Sequence, residues 1–136
     1  MIILDTNVLI DLHLYQFDPG EVYGASILSR AELEFGIQSA RSADAAAART
    51  RRLNELDANF DWLELDREST RSYGLVASRA RATGAKVRGK DALIAAQAHR
   101  YGAIVMTTNT EDFVPFSELV RIAHPRPRQG HGRSTE

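Results

Sequence analysis

The chain has 136 residues, of which 43% are hydrophobic and 26% are charged, with a net charge of −1 at pH 7 and no cysteine. This composition is that of one ordinary domain with its own core, and it excludes an intrinsically disordered chain. The lack of cysteine excludes disulfides, thiolate metal sites and a cysteine nucleophile, so any metal ion must be bound by oxygen or imidazole. No apolar run reaches the roughly 18 residues that span a bilayer, and the N-terminus lacks the basic start of a signal peptide, so we expect a soluble, cytoplasmic protein without a membrane partner.

Short apolar runs alternate along the chain with segments that have the periodicity of a helix. The runs predict strands at residues 2–4, 22–28, 62–65, 103–106 and 119–122. The segments between them predict helices at residues 7–15, 30–39, 44–59, 67–83 and 91–101. Because such alternation favours right-handed crossovers, we expect an α/β fold with a mainly parallel central sheet flanked by helices. We assign the domain to residues 1–123, and the basic, Pro- and Gly-containing residues 124–136 predict a disordered tail.

Four acidic residues follow the predicted strands, at the edge where an open parallel sheet forms its functional sites. Asp5 directly follows the first strand, and Asp112 follows the strand that ends at residue 106. Glu32 lies in the first turn after the second strand, and Asp91 opens a helix. Each acid, taken alone, is explained by helix capping, and Ser29 with Glu32 fits a capping box. Capping and a shared site are therefore both open at this point.

The direction of two of these side chains favours a shared site. Asp91 heads the apolar stripe that contains Ile94 and Ala98, and Glu32 shares a helix face with the small Gly36. A capping acid has no need to face the sheet. Four carboxylates that meet at one edge repel one another, and a bound cation is the simplest way to keep them ionised. All-oxygen ligands suit Mg²⁺ or Mn²⁺, and such an ion promotes hydrolysis of a phosphodiester.

Four segments of the chain carry a recognisable pattern in a fixed order. They are residues 3–11 (ILDTNVLID), 29–36 (SRAELEFG), 90–96 (KDALIAA) and 105–113 (VMTTNTEDF). Together these segments resemble the PIN domain and, within that family, the VapC toxins of bacterial and archaeal toxin–antitoxin pairs. The resemblance covers almost all of the chain up to Ala123.

The resemblance implies a PIN-like three-layer fold and a Mg²⁺-dependent endoribonuclease, with Mn²⁺ as a substitute ion. It also implies a VapB-type antitoxin that binds the protein and blocks the acidic site, RNA as the substrate, and a homodimer. The acids of the family fall on Asp5, Glu32, Asp91 and Asp112, of which Asp5 and Asp91 are the direct metal ligands. Thr6 and Asn109 match supporting polar positions, and Glu111 is the alternative to its neighbour Asp112.

Five basic residues precede Asp91 without an intervening acid, between residues 79 and 90. We expect the last three, Lys86, Arg88 and Lys90, to bind RNA phosphates on either side of the scissile one. The other interpretation of this stretch is a solvated helix face without a ligand.

Two other functions remain as alternatives. The segment from Asp5 to Asn7 is similar to the Asp-x-Asp start of phosphatases that form an aspartyl-phosphate, although Asn7 stands where their second Asp would act as acid and base. A non-catalytic protein-binding module, in which the acids only cap helices, is the second alternative. Metal binding distinguishes it from an enzyme, because independent caps bind no metal.

Overall fold

A five-stranded parallel sheet runs through the centre of the computed structural model, which describes residues 1–129. The strands of the chain are β1 (Ile2–Leu4), β2 (Tyr15–Gln16), β3 (Tyr23–Ser26), β4 (Trp62–Leu63), β5 (Ile104–Met106), β6 (Ile122–Ala123) and β7 (Arg126–Pro127). The central sheet has the order β4-β3-β1-β5-β6, and β2 and β7 form a separate antiparallel pair. The predicted α/β fold with a parallel central sheet is therefore confirmed.

Helices cover both faces of this sheet. Those of the described residues are α1 (Thr6–Leu9), α2 (Ile27–Gln38), α3 (Ala43–Asn59), α4 (Arg67–Ala82), α5 (Gly89–Tyr101) and α6 (Thr110–Phe113), with short 3₁₀ turns at Leu12–Leu14 and Val114–Phe116. Side chains of Ser26, Ser42 and Asp66 accept hydrogen bonds from the first turns of α2, α3 and α4. Helix α5 ends at Gly102, whose φ of 63° is the left-handed conformation that glycine adopts without strain. None of the described helices is long and apolar enough to cross a membrane.

Alternate residues of β1 divide the core into two apolar layers. The side chain of Ile3 is fully buried and packs in one cluster with Ile94 of α5 and with Phe113. Leu4 points to the opposite face and packs in a second cluster with Leu33 of α2 and residues of α3. Because successive side chains of a strand point to opposite faces, this short strand holds both helical layers against the sheet. The result is the three-layer arrangement expected from the resemblance.

The register of the sheet places three segments side by side at its carboxyl edge. Leu4 of β1 pairs with Ala25 of β3 on one side and with Met106 of β5 on the other. The residues that follow these strands, Asp5 and Thr107 among them, are therefore neighbours although about a hundred positions separate them in sequence. This edge is where the sequence predicts a functional site.

The first two predicted helices differ most from the helices of the structure, and the other three differ by one or two residues at an end. The predicted helix 7–15 splits into α1 and a 3₁₀ turn, because the chain from Tyr15 onward pairs with β7 and Leu14 accepts a hydrogen bond from the Arg128 amide at 2.8 Å. Helix α2 begins at Ile27, three residues earlier than predicted, because Ser26 caps it. The predicted capping box is therefore wrong: Ser29 lies inside the helix, where its hydroxyl is buried without a hydrogen-bond partner.

The beginning of the predicted tail has a regular structure. Arg126 pairs with Gln16 and Pro127 with Tyr15 in the antiparallel β2–β7 ribbon. The structure therefore departs from the predicted disorder at Arg126–Pro127, because the free backbone edge of β2 supplies hydrogen bonds that the Pro- and Arg-rich composition does not reveal. Residues 130–136 of the predicted tail lie outside the described residues.

Candidate active site

Asp5 is buried at the carboxyl end of β1 and held by three hydrogen-bond donors. Its Oδ1 accepts from the Thr6 amide at 2.9 Å, and its Oδ2 accepts from the Thr107 hydroxyl at 2.9 Å and from the Asn7 amide group at 3.1 Å. Only 2% of the residue is exposed. Asp5 does cap α1, as one interpretation of the sequence has it, but its second oxygen is held by Asn7 of α1 and by Thr107, which directly follows β5.

Asn7 and Thr107 connect this carboxylate to the loop after β5. The Asn7 Nδ2 also donates to Thr107 Oγ1 at 3.2 Å, and Asn7 Oδ1 accepts from the Thr108 amide at 3.0 Å. Thr107 Oγ1 accepts in addition from the Asn109 amide at 3.0 Å. Asn109, which the resemblance marks as supporting, thus contributes its backbone, whereas Asn7 and Thr107 orient Asp5 directly. A carboxamide does not ionise near neutral pH, so Asn7 positions its neighbours and does not act as the acid or base that a phosphatase needs at this position.

Asp91 lies in the first turn of α5, with 6% of the residue exposed. It is not the cap of this helix, because Arg88 occupies the N-cap position and no side chain accepts a hydrogen bond there. Burial raises the pKa of Asp91 above its ordinary value; the nearby Lys90 lowers it, and the negative charges of Asp5 and Asp112 raise it further. Two acids from other elements are therefore close enough to act on this buried carboxyl.

Glu32 extends from α2 toward the same place and is bound by two donors. The Thr6 hydroxyl donates to its Oε1, and the Lys90 ammonium donates to Oε1 and Oε2, each at 3.1 Å. The same ammonium lies 3.7 Å from Asp91 Oδ1. Burial lowers the pKa of Lys90, but the hydrogen bond to Glu32 and the charges of Asp5, Glu32 and Asp91 outweigh it, so the net shift is upward.

Asp112 lies at the rim of this acidic group, in α6. Its Oδ2 is 3.5 Å from Arg88 Nη1, and its side chain is 34% exposed. The neighbouring Glu111 is exposed and makes no ion pair among the described residues. Asp112 is thus the acid of this pair that acts on Asp91.

The three basic residues predicted to bind RNA have different surroundings. Arg88 faces Asp112, and Lys90 faces Glu32 and Asp91. Lys86 is exposed on the loop before α5 and has no ion pair within residues 1–129. Only Lys86 therefore presents its whole charge to the solvent.

The oxygen ligands of this edge fit a divalent ion bound by a pair of carboxylates. Within the described part of the chain, no three acidic or histidine side chains converge closely enough to coordinate one ion. Asp5 and Asp91 remain, both buried, and Asp91 receives no hydrogen bond from any described residue. Mg²⁺ retains several water ligands and needs only one or two carboxylates, so the donor chemistry of this pair suits it.

Comparisons with known proteins identify the family. Residues 2–119 match the PIN domain. Ribonuclease VapC4 of Mycobacterium tuberculosis is 32% identical over 113 residues, which are 79% of this chain and 85% of that protein. The structure of VapBC-5 from Mycobacterium tuberculosis superposes with a TM-score of 0.74 at 25% identity, covering 91% of this chain and 96% of that one. FitAcB from Neisseria gonorrhoeae shares the fold with a TM-score of 0.75 at 24% identity, covering 90% and 96%. The resemblance of the four sequence motifs is thereby confirmed, and the chain belongs to the PIN-domain family and, within it, to the VapC proteins.

Proposed function

We propose that this chain is the toxin of a type II toxin–antitoxin pair and a Mg²⁺-dependent endoribonuclease that hydrolyses phosphodiester bonds in RNA. The observation that carries the proposal is the buried pair Asp5 and Asp91, which two distant parts of the chain bring to the carboxyl edge of the sheet. A ribonuclease among its relatives supports the substrate class. An isolated capping acid needs neither burial nor a second acid beside it.

Each residue of the site has a role that follows from its contacts. Asp5 and Asp91 would hold the divalent ion, and Asn7 and Thr107 fix the orientation of Asp5 through their hydrogen bonds. Mg²⁺, or its substitute Mn²⁺, held there would supply the chemistry of water activation and of charge stabilisation at the leaving oxygen. Glu32 and Asp112 complete the acidic edge, and Thr6 and Asn109 support it through hydrogen bonds.

The substrate and the antitoxin approach the same edge of the sheet. Lys86 and Arg88, on the loop that leads to α5, bind phosphates that flank the scissile one. An exposed apolar groove adjoins Glu32 and Lys90 and is lined by Leu28, Ala31, Phe35, Gly89 and Leu93. Because 73% of Phe35 is exposed, this groove suits a partner that covers the site. We assign it to a VapB-type antitoxin, in keeping with the VapBC systems whose structures share this fold. We further propose that the toxin is a homodimer in the cytoplasm.

A cleavage assay with matched acid variants tests this function. The purified protein is incubated with total RNA in Mg²⁺ or in EDTA, and the new ends are mapped. Cleavage is expected only with Mg²⁺, and Asp5→Asn and Asp91→Asn are each expected to lower it by orders of magnitude. Asp44→Asn is the control, because Asp44 is also an acid in the first turn of a helix but is exposed on α3. Equal cleavage by all four proteins, or cleavage in EDTA, contradicts the proposal.

A further inference from the structure

The ammonium of Lys90 lies between two acids of the site, Glu32 and Asp91. Its Nζ lies 3.1 Å from both oxygens of Glu32 and 3.7 Å from Asp91 Oδ1. The charge of Asp5 also acts on it. A lysine that contacts both oxygens of one carboxylate and lies 3.7 Å from a second is directed into the acidic group.

Lys90 is held in this place by the fold. Its backbone belongs to the first turn of α5, directly before the buried Asp91, so that the side chain starts at the rim of the site. Glu32, its partner, is fixed from the other side by the Thr6 hydroxyl. Only 37% of the Lys90 side chain is exposed, although a lysine at a helix start can extend into water. The ion pair is therefore part of the site's architecture.

The arrangement of oxygens agrees with a site that holds one divalent ion. Within residues 1–129, no three metal-ligating side chains converge, and the carboxylate of Glu32 is bound by Lys90 and Thr6. Two divalent ions at about 4 Å separation need carboxylates that bridge or surround both of them. Asp5 and Asp91 alone serve one ion together with water.

We propose that the Lys90 ammonium is a fixed second cation of the acidic site, which neutralises Glu32 and leaves Asp5 and Asp91 to hold a single divalent ion. The inference rests on the proposed metal-dependent function, since it concerns the same acids. Lys90 is in this view a charge-balancing and positioning residue of the site and not a contact for phosphates outside it. Glu32 is the anchor of that lysine instead of a metal ligand.

Metal stoichiometry tests this inference without a measurement of cleavage. Mn²⁺ binding to the full chain is measured by isothermal titration calorimetry and by electron paramagnetic resonance, which distinguishes free from bound Mn²⁺. The wild type is expected to bind one ion per chain. Lys90→Met and Lys90→Gln release Glu32 and are expected to bind a second ion, with the first bound about tenfold more tightly because a unit positive charge next to it is gone. Lys90→Arg keeps the charge and is expected to bind one.

Two further variants make the assignment specific. Lys86→Met removes a lysine of the same loop that has no ion pair within the described residues, and it is expected to bind one ion with the wild-type affinity. Lys90→Met combined with Glu32→Gln removes both the cation and the carboxylate that it releases, and it is expected to return to one ion.

The possible results separate the inference from the function on which it rests. Two ions in the wild type, or one ion with unchanged affinity in both neutral Lys90 variants, would overturn the inference and leave the metal-dependent nuclease intact. No ion in the wild type would overturn the metal-dependent function itself. One ion in the wild type, two in Lys90→Met or Lys90→Gln, and one again in the double variant support the fixed second cation.

Discussion

Replacement of Asp91 by Asn is expected to stabilise the metal-free protein and to weaken its response to metal. Asp91 is a buried carboxyl whose pKa is raised by burial and by the charges of Asp5 and Asp112, so its ionised form destabilises the folded state in the absence of metal. Asn is nearly isosteric and carries no charge. The variant is therefore expected to melt at a higher temperature than the wild type in EDTA at neutral pH.

The pH dependence of this difference follows from the direction of the shift. Because the pKa of Asp91 lies above its ordinary value of 3.8 in the folded protein, the folded state binds the proton more tightly than the unfolded chain. The contribution of Asp91 to stability falls as pH rises from 3.8 through the folded pKa. The amount by which the Tm of Asp91→Asn exceeds that of the wild type in EDTA is expected to grow over this pH range and to vanish below pH 3.8.

Metal reverses the order of the two proteins. At about a hundred times its Kd, an ion bound only by the folded state stabilises it by about 2.7 kcal/mol, which for a domain of this size raises Tm by about 10 °C. The wild type is expected to gain that shift from Mn²⁺ and Asp91→Asn only a fraction of it.

Thermal melts of both proteins in EDTA and in Mn²⁺ measure these effects, with Asp44→Asn as the first-turn control. Equal metal-induced shifts in wild type and Asp91→Asn, or a lower Tm of Asp91→Asn in EDTA, would refute the reasoning.

Three other predictions concern the rim, the support of the site and a distant cap. Lys86→Ala is expected to lower the log–log salt slope of RNA binding to the inactive Asp5→Asn protein by somewhat less than one, because one phosphate contact is lost. Thr107→Val is expected to lower the free energy of unfolding by about 1–3 kcal/mol and to reduce cleavage, because the buried Asp5 loses a donor. The pKa of Asp66 is lowered to about 2 by its hydrogen bonds to Ser69 and by Arg100. Asp66→Ala is therefore expected to lower Tm at neutral pH, with a difference that shrinks as pH falls from 3.8 toward 2.

Each of these predictions has a matched comparison. Arg71 lies near the start of α4, which contacts the C-terminal end of α5 through the ion pair of Asp66 and Arg100, away from the acidic site. Arg71→Ala is therefore expected to leave the salt slope of RNA binding unchanged. A slope that falls equally in Lys86→Ala and Arg71→Ala argues against a specific phosphate contact. Thr107→Ser keeps the hydroxyl, so a loss of cleavage as large as that of Thr107→Val contradicts the role of the hydrogen bond. A difference between Asp66→Ala and wild type that stays constant down to pH 2 contradicts the assigned cap.

The parts of this molecule that were predictable from its sequence are those governed by local pattern. The runs that form β1 and β5 and the periodic segments of α3, α4 and α5 follow from spacing alone, and an acid after a strand indicates the edge at which it lies. The hydrogen bond between Thr107 and Asp5 joins positions 102 apart, and no local rule reports such a pairing. The role of the basic residues before Asp91 could not be predicted for the same reason. Their position in the sequence does not show whether the ammonium of Lys90 points to solvent or to Glu32.

The β2–β7 ribbon illustrates the same limit at the level of the fold. Pro125, Arg126 and Pro127 have the composition of a tail, and proline donates no backbone hydrogen bond. A two-residue ribbon still forms, because the edge of Tyr15–Gln16 is otherwise unpaired and the Arg128 amide completes it with Leu14. Whether a short segment pairs thus depends on a partner more than a hundred positions away.

The central place of β1 in the sheet has a consequence for folding during synthesis on the ribosome. Strand β1 is synthesised about a hundred residues before its neighbour β5, so one of its edges stays unpaired until β5 has been made. Contacts of such long sequence separation slow folding and leave the nascent chain without its native core. Asp5 is therefore synthesised long before Asp91 and Thr107, the residues that lie near it in the folded site. A nascent or prematurely terminated copy therefore carries the first acid of the site without the means to use it.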